Sequence, residues 1–226
     1  MRITVQGSHS TWVPPERARL SVSATSESGS REQAMTRASA LANELATELK
    51  DLTGTGVETV AVQPVRVHEW RPSDQNGRRL AVRVQAQVEL EAVFTDFDAL
   101  AAWTARAGVR DGVRLGWVHW YLTDETAAEA EEGVIGRAID RARRRALAMA
   151  RADGAGDVEI EEISDPGLLG EAVADAGAPH GKGVRAMAMM ESAPEVDVTP
   201  ADLEVTATVQ VRFTTVDAPP PRRGQR

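Results

Sequence analysis

The stretch DETAAEAEEGVIGRAIDRARRRALAMARAD, residues 124–153, has the pattern of one long helix around which the rest of the chain is organised. Glutamates crowd its first half and arginines its second, which is the polarity that a helix dipole favours. Small apolar residues recur at helical spacing and predict a buried stripe: Ala127, Ala130, Val134, Ala138, Ala142 and Ala146, widened by Ile135, Ile139, Leu147 and Ala150. An alanine-rich stripe lets a helix lie close to a sheet, so the flanking strands are expected to pack against it.

Strands are predicted on both sides of this helix from alternating polar and apolar residues. Long alternation at 17–24, 80–90 and 203–213 indicates strands with one buried and one wet face. That pattern favours an antiparallel sheet. Shorter strands are predicted at 3–5, 57–68, 113–122 and 158–160, the first of them ending near Gly7. Pro64 lies where the parity of its strand changes, so a bulge or an edge position is expected there.

Two shorter helices precede the long one in the predicted order. Ser30 and Gln33 have the spacing of a capping box, and an apolar stripe follows them. Thr95 and Asp98 repeat the capping spacing before a helix that stops at Gly108. Helices interspersed with antiparallel-type strands favour the α+β class. The expected fold is a mostly antiparallel sheet with three helices packed on one face.

In this fold the long helix at 124–153 is expected to be central. One domain is predicted over residues 1–217. Within it, residues 165–194 carry Gly, Ala, Pro and Met without a regular period and are expected to form a mobile loop. Residues 218–226 are rich in proline and arginine and are expected to form a disordered tail.

Composition excludes several classes of function. The chain has 226 residues, of which 42% are hydrophobic and 27% charged, as in ordinary soluble globular proteins. The net charge of −8 disfavours nucleic-acid binding. The chain has no cysteine, which excludes disulfides, thiolate catalysis and cysteine-ligated zinc. No apolar run is long enough to span a bilayer. Strand-like alternation begins at the first residues, so no signal peptide is predicted and the expected location is the cytoplasm.

Four stretches, taken in order, carry a family resemblance. They are ITVQG followed by PPERARLSVSATSES at 3–28, VETVAVQPVRV at 57–67, AIDRARRRALAMARADG at 138–154 and TPADLEVTATVQVRF at 199–213. In these stretches the chain resembles the SIMPL-domain proteins, also called the DUF541 family. The resemblance implies an α+β fold and, in some members, ring-like or channel-like self-assembly. It supplies no catalytic motif. Many members carry a secretion signal, and this chain departs from them in that respect.

An aromatic strand supplies the first candidate site: Trp117, His119, Trp120 and Tyr121. Trp117 and Trp120 are expected on opposite faces, and His119 on the same face as Trp117 and Tyr121. One interpretation is a site for an apolar ligand or a partner, since aromatic residues are enriched at interfaces. The preferred interpretation is core packing for at least one tryptophan and a structural role for His119. In the 165–194 loop, Met187 and Met189 could form an adaptable contact surface or a plain loop docked on the body.

Three arginines on the long helix are the second candidate. Arg137, Arg141 and Arg144 follow an i, i+4, i+7 spacing and so share one face. An anion site is one interpretation. A solvated face paired with acidic residues is the other, and it is preferred in a chain of net charge −8.

No motif in the chain indicates an enzyme. The four histidines are scattered, so no metal site is predicted, and no nucleophile or nucleotide-binding fingerprint predicts a cofactor. The predicted function is therefore a non-enzymatic, self-associating domain that binds or scaffolds a partner protein. A homo-oligomer, ring-like in the manner of the family, is expected to form through strand edges, with Arg2 to Gly7 as the candidate edge. The alternative is a small-molecule or lipid-binding module that uses the Trp117–Trp120 strand and the 165–194 loop.

Overall fold

The computed structural model describes residues 1–169 and 198–216. Eight strands and three helices lie in these two ranges. In chain order they are β1 (Arg2–Val13), β2 (Arg17–Ser28), α1 (Arg31–Asp51), β3 (Val57–Val62), β4 (Arg66–Trp70), β5 (Arg83–Phe94), α2 (Phe97–Ala107), β6 (Val113–Tyr121), α3 (Asp124–Ala152), β7 (Asp157–Ser164) and β8 (Leu203–Val216). The predicted tail and most of the predicted 165–194 loop lie outside the described residues.

The α+β class with antiparallel sheets is confirmed. The strands form two sheets, however, where the alternation had led us to expect one. One sheet has the order β1-β8-β7, and the other has the order β3-β5-β2-β6 with β4 also paired to β5. Pro14 and Pro15 have no backbone N–H to donate and separate β1 from β2, which pair in different sheets. Alternation reports that a face is buried, but it does not report which strand is the neighbour.

The described chain accordingly divides into two compact units. The first unit holds residues 1–13, 124–169 and 202–216, and the second holds 14–123 and 198–201. Each has a hydrophobic cluster of its own. A single domain over 1–217 stays a prediction.

The first unit is built on β1 and β8, the two ends of the described chain. They pair without interruption from Arg2↔Thr214 to Val13↔Leu203. The prediction that the first strand ends near Gly7 was therefore wrong, because long-range pairing with β8 carries it on to Val13. Gly7 marks instead the point where α3 approaches most closely. A Cβ atom there would collide with the backbone oxygen of Ala138 and would lie 2.8 Å from the nitrogen of Ala142.

Helix α3 packs its small residues on this sheet at a strict spacing of four. Its buried residues are Val134, Ala138, Ala142, Ala146 and Ala150. The four alanines meet the inward side chains of the strands, among them Val5, Val211 and Phe213. The predicted stripe is thus correct over its second half. Ile135 lies beside the stripe and is 36% exposed. The strand that precedes the helix, β6, was expected to pack against it but belongs to the other sheet.

The second unit has β5 and β2 at the middle of its sheet, with α1 and α2 completing its core. Helix α1 buries six small and branched side chains: Ala34, Ala38, Ala42, Leu45, Ala46 and Leu49. Ser30 occupies its N-cap without a side-chain bond, while the Ser28 hydroxyl accepts from the Ser30 N–H at 3.2 Å. Asp96 rather than Thr95 caps α2, accepting from the N–H groups of Asp98 and Ala99. The predicted capping boxes thus lie close to the starts of the helices, but the side-chain hydrogen bonds that they predicted do not form.

Candidate functional site

The aromatic strand β6 lies at one edge of the second unit's sheet, paired with β2. Its register shifts, since Leu20 pairs with Val118 whereas Val22 pairs with Leu115. Residues 116 and 117 therefore lie together opposite Ser21, which makes a bulge with one extra residue, and a bulge resets the alternation of faces. Trp117 is 66% exposed, whereas Trp120 packs against the core, so the two lie on opposite faces as their spacing predicts. The sequence did not predict the bulge, which lets Val113 and Leu115 face the same core as Val118 and Trp120.

Trp120 lies on the inner face of the same strand. Its ring meets Phe97 of α2 edge-on, with centroids 4.8 Å apart and planes at 83°. On the outer face His119 stacks on Tyr121 at 5.7 Å, and the Arg19 guanidinium lies 5.3 Å from the Tyr121 ring centre. The strand thus carries a packing tryptophan, a surface cluster of cation and aromatic rings, and one exposed tryptophan. Met187 and Met189 lie outside the described residues.

The two tryptophans of β6 should therefore differ in their contribution to stability. We expect Trp120→Ala to lower the free energy of unfolding by about 2 kcal/mol, because it removes a half-buried ring and its edge-on contact with Phe97. Trp117→Ala, the matched control, should change it by less than about 0.5 kcal/mol, because its side chain is mostly in water. Urea unfolding followed by circular dichroism measures both. Equal losses would contradict the inward position of Trp120 and the outward position of Trp117.

Strand edges are the second feature of interest, because an open edge recruits other chains unless it is protected. Strand β7 carries several acidic residues and a register shift. Strands β3 and β4 form an edge that is interrupted at Pro64, which lies in the gap between them. A bulge or an edge position was predicted there. Strand β6 has the bulge described above. Among the edges of the described sheets, β1 alone has neither a proline nor a bulge. It carries two basic residues, His9 and Arg2, and no acidic one. The Arg2 guanidinium forms a salt bridge with Glu161 at 2.8 Å.

The hydrogen-bonding direction along β1 follows from one bond. The Thr215 N–H donates to the Met1 carbonyl at 2.9 Å. In an antiparallel ladder bonded and non-bonded pairs alternate, so the odd residues of β1 bond to β8. The N–H and C=O groups of Arg2, Thr4 and Gln6 therefore point away from β8, toward the open side. The Thr4 and Gln6 side chains lie exposed on the sheet face opposite α3.

The three candidate arginines of α3 do not act as one group. Arg141 donates from Nη1 to the carbonyl of Ser8 at 3.0 Å. Arg137 lines a groove of about 340 Å³ together with residues of β1 and of the first half of α3. Arg144 does not line this groove. Within residues 1–169 and 198–216, none of the three arginines forms a salt bridge with an acidic residue. The interpretation of an acid-paired face is not supported by these contacts.

Sequence reasoning missed His9, which faces this groove from β1. The side chain is half-buried, and its shielded Nδ1 has no hydrogen-bond partner among the described residues. Partial burial, followed by the positive charges of Arg141 and Arg137, lowers the pKa of His9 below its ordinary value of 6.5. The position of His9 could be found only from the pairing of β1 with β8, which continues the strand beyond Gly7 and puts residues 9, 11 and 13 on the helix-facing side.

Two further searches bear on the candidate chemistry. Within residues 1–169 and 198–216, no three His, Asp or Glu side chains converge in a way that could hold a metal ion. Among the helices of these ranges, none is long and apolar enough to cross a membrane.

Comparison with known proteins gives the family. No curated protein matches the chain. A family model does, over residues 3–213, and it is the SIMPL model, described as a protein of unknown function (DUF541). The matched range reaches both units and every strand and helix described above, and leaves out only Arg2 of β1 and residues 214–216 of β8. The chain therefore belongs to the SIMPL family.

Proposed function

We propose that this SIMPL-family chain is a non-enzymatic domain that self-associates by adding the β1 edge of one copy to a sheet of another, and thereby scaffolds its partners. The observation that carries the proposal is the twelve-residue edge of β1, which has no proline and no bulge. Such an edge presents a row of unpaired N–H and C=O groups.

The contact should be made mainly by the backbone. The outward groups of Arg2, Thr4 and Gln6 supply donors and acceptors, while the neighbouring exposed side chains are mostly polar and uncharged. Arg141 already covers the carbonyl of Ser8, so the most open part of the edge runs from Arg2 to Gln6. Two β1 edges meeting about a twofold axis give a closed dimer. Head-to-tail pairing of β1 with a different edge of the next copy gives a ring when the rotation between copies closes, and a ring is the form that the family resemblance favours.

We expect Thr4→Pro to weaken self-association strongly while leaving the fold largely intact. The Thr4 N–H points away from β8, so its loss removes a donor from the open edge rather than from the β1–β8 ladder. Sedimentation velocity at tens of micromolar compares the mass of the variant with that of the wild type. Circular dichroism reports whether the sheet is retained.

Thr4→Val is the matched control for this experiment. It keeps the backbone donor and the β-branched shape and changes only the exposed hydroxyl, so assembly should be unchanged. A monomeric wild type, or assembly by Thr4→Pro equal to that of Thr4→Val, would contradict the edge-pairing proposal.

The 66% exposure of Trp117 favours a second candidate function, the binding of an apolar small molecule or a lipid at β6. Exposed aromatic side chains at a sheet edge suit such contacts. The Trp117→Ala variant serves here too, since loss of ligand or vesicle binding without loss of assembly would support this alternative over self-association.

A further inference from the structure

We propose that the groove between β1 and the first half of α3 binds the carboxylate group of a small, partly apolar ligand, with Arg137 as the residue that holds the anion. The groove lies entirely within the first unit. Nothing in the self-association proposal uses it.

The groove exists because strand and helix separate along their length. At Gly7 the backbone of α3 lies so close to β1 that a Cβ atom would not fit. Toward the other end of β1 the two elements leave about 340 Å³ between them. The lining there includes Val13, Ala130 and Val134, together with Gly133, beside which a Cβ atom would meet nothing within 4 Å. A short hydrocarbon chain suits such a lining.

The charges at one end of the groove favour an anion. Arg137 forms no ion pair within residues 1–169 and 198–216, and Arg141 is engaged by a carbonyl rather than by a carboxylate. Both guanidinium groups act on His9 as positive charges. The planar guanidinium of arginine matches a carboxylate in a bidentate arrangement. A doubly charged phosphate would lose more hydration on entering a lining that is mostly apolar.

The other end of the groove carries Glu129. It precedes Arg137 by two helical turns, or about 12 Å along the axis of α3. The groove is thus positive at one end and negative at the other. A ligand with a carboxylate at Arg137, an apolar middle and an amine near Glu129 complements both ends.

His9 gives the site a pH dependence and a reporter. The charged groups that face it come from α3 and are Arg137, Arg141 and, farther along the groove, Glu129. Its pairing partner on β8 is Ala207, flanked on that face by Val205 and Val209, none of which titrates. A bound carboxylate offsets part of the positive potential that keeps the His9 pKa low, so binding should raise that pKa. By linkage, affinity should then increase as the pH falls.

The test is an NMR titration of the histidine ring resonances of the full chain, with His9 assigned from a His9→Gln variant. The probes are hexanoate, 6-aminohexanoate and inorganic phosphate. We expect hexanoate to shift the His9 signals saturably and to raise the His9 pKa, and 6-aminohexanoate to bind more tightly still. Arg137→Gln should weaken hexanoate binding about tenfold or more. Arg144→Gln, the matched control on the same helix, should change it by less than about twofold.

The remaining outcomes overturn the proposal or one part of it. Unchanged His9 signals with all three probes, or equal losses in Arg137→Gln and Arg144→Gln, exclude the site. Phosphate binding as tight as hexanoate binding excludes the preference for a carboxylate with an apolar body. Equal affinity for hexanoate and 6-aminohexanoate excludes a role for Glu129 in recognising the far end of the ligand.

Discussion

Trp103→Ala is expected to lower the free energy of unfolding of the second unit by about 3–5 kcal/mol. Trp103 is 0% exposed and is the largest fully buried side chain among the described residues. Its ring lies 6.4 Å from that of Phe94, centre to centre, and so joins α2 to β5. Truncation to alanine removes most of this contact and leaves a cavity that the surrounding strands cannot fill. Urea unfolding measured by circular dichroism gives the loss.

Trp103→Phe separates packing from the polar atom of the ring. The indole Nε1 is buried without a hydrogen-bond partner among the described residues, and an unpaired buried donor costs about 1–3 kcal/mol. Phenylalanine keeps an aromatic ring in the site and removes that donor, so the net loss should stay below about 1.5 kcal/mol. A loss of less than about 1 kcal/mol for Trp103→Ala would mean that α2 contributes little to this core.

Sequence pattern was most reliable where one periodic element met one apolar face. The stripe of α3 from Val134 onward follows from its alanine spacing, and the alternation of β2, β5 and β8 follows from theirs. Trp103 could have been found in the same way, because Leu100, Trp103 and Ala107 share a helix face and are the buried residues of α2.

What the pattern could not supply was long-range pairing. The extension of β1 beyond Gly7 depends on β8, which lies at the far end of the described chain. The bulge at residues 116 and 117 depends on the register between β6 and β2. The groove depends on the extension of β1 and on its packing against α3, since His9 comes from β1 and Arg137 from α3. Each of these features arises from contacts between segments that are distant in sequence, and the local spacing of apolar residues does not predict such contacts.

Gly7→Ala is expected to destabilise the first unit by about 3 kcal/mol or more, at or above the upper end of ordinary overpacking. The added methyl group would collide with the carbonyl oxygen of Ala138 and lie 2.8 and 2.9 Å from the nitrogen and Cβ of Ala142. Two of these three atoms belong to the helix backbone, so no side-chain rotation relieves the clash. Helix α3 would have to move away from β1, which would loosen the packing of Val5 and Val211 beneath it.

Gly136→Ala provides the control, because it makes the same chemical change in the same unit, on α3 rather than on β1, without a clash. No atom lies within 4 Å of a Cβ at Gly136, and alanine is favoured over glycine in a helix interior by about 0.5–1 kcal/mol. The two variants should therefore move the unfolding midpoint in urea in opposite directions, Gly7→Ala downward and Gly136→Ala upward. If Gly7→Ala unfolds at the wild-type midpoint, the close approach of α3 to β1 is not what holds the first unit together.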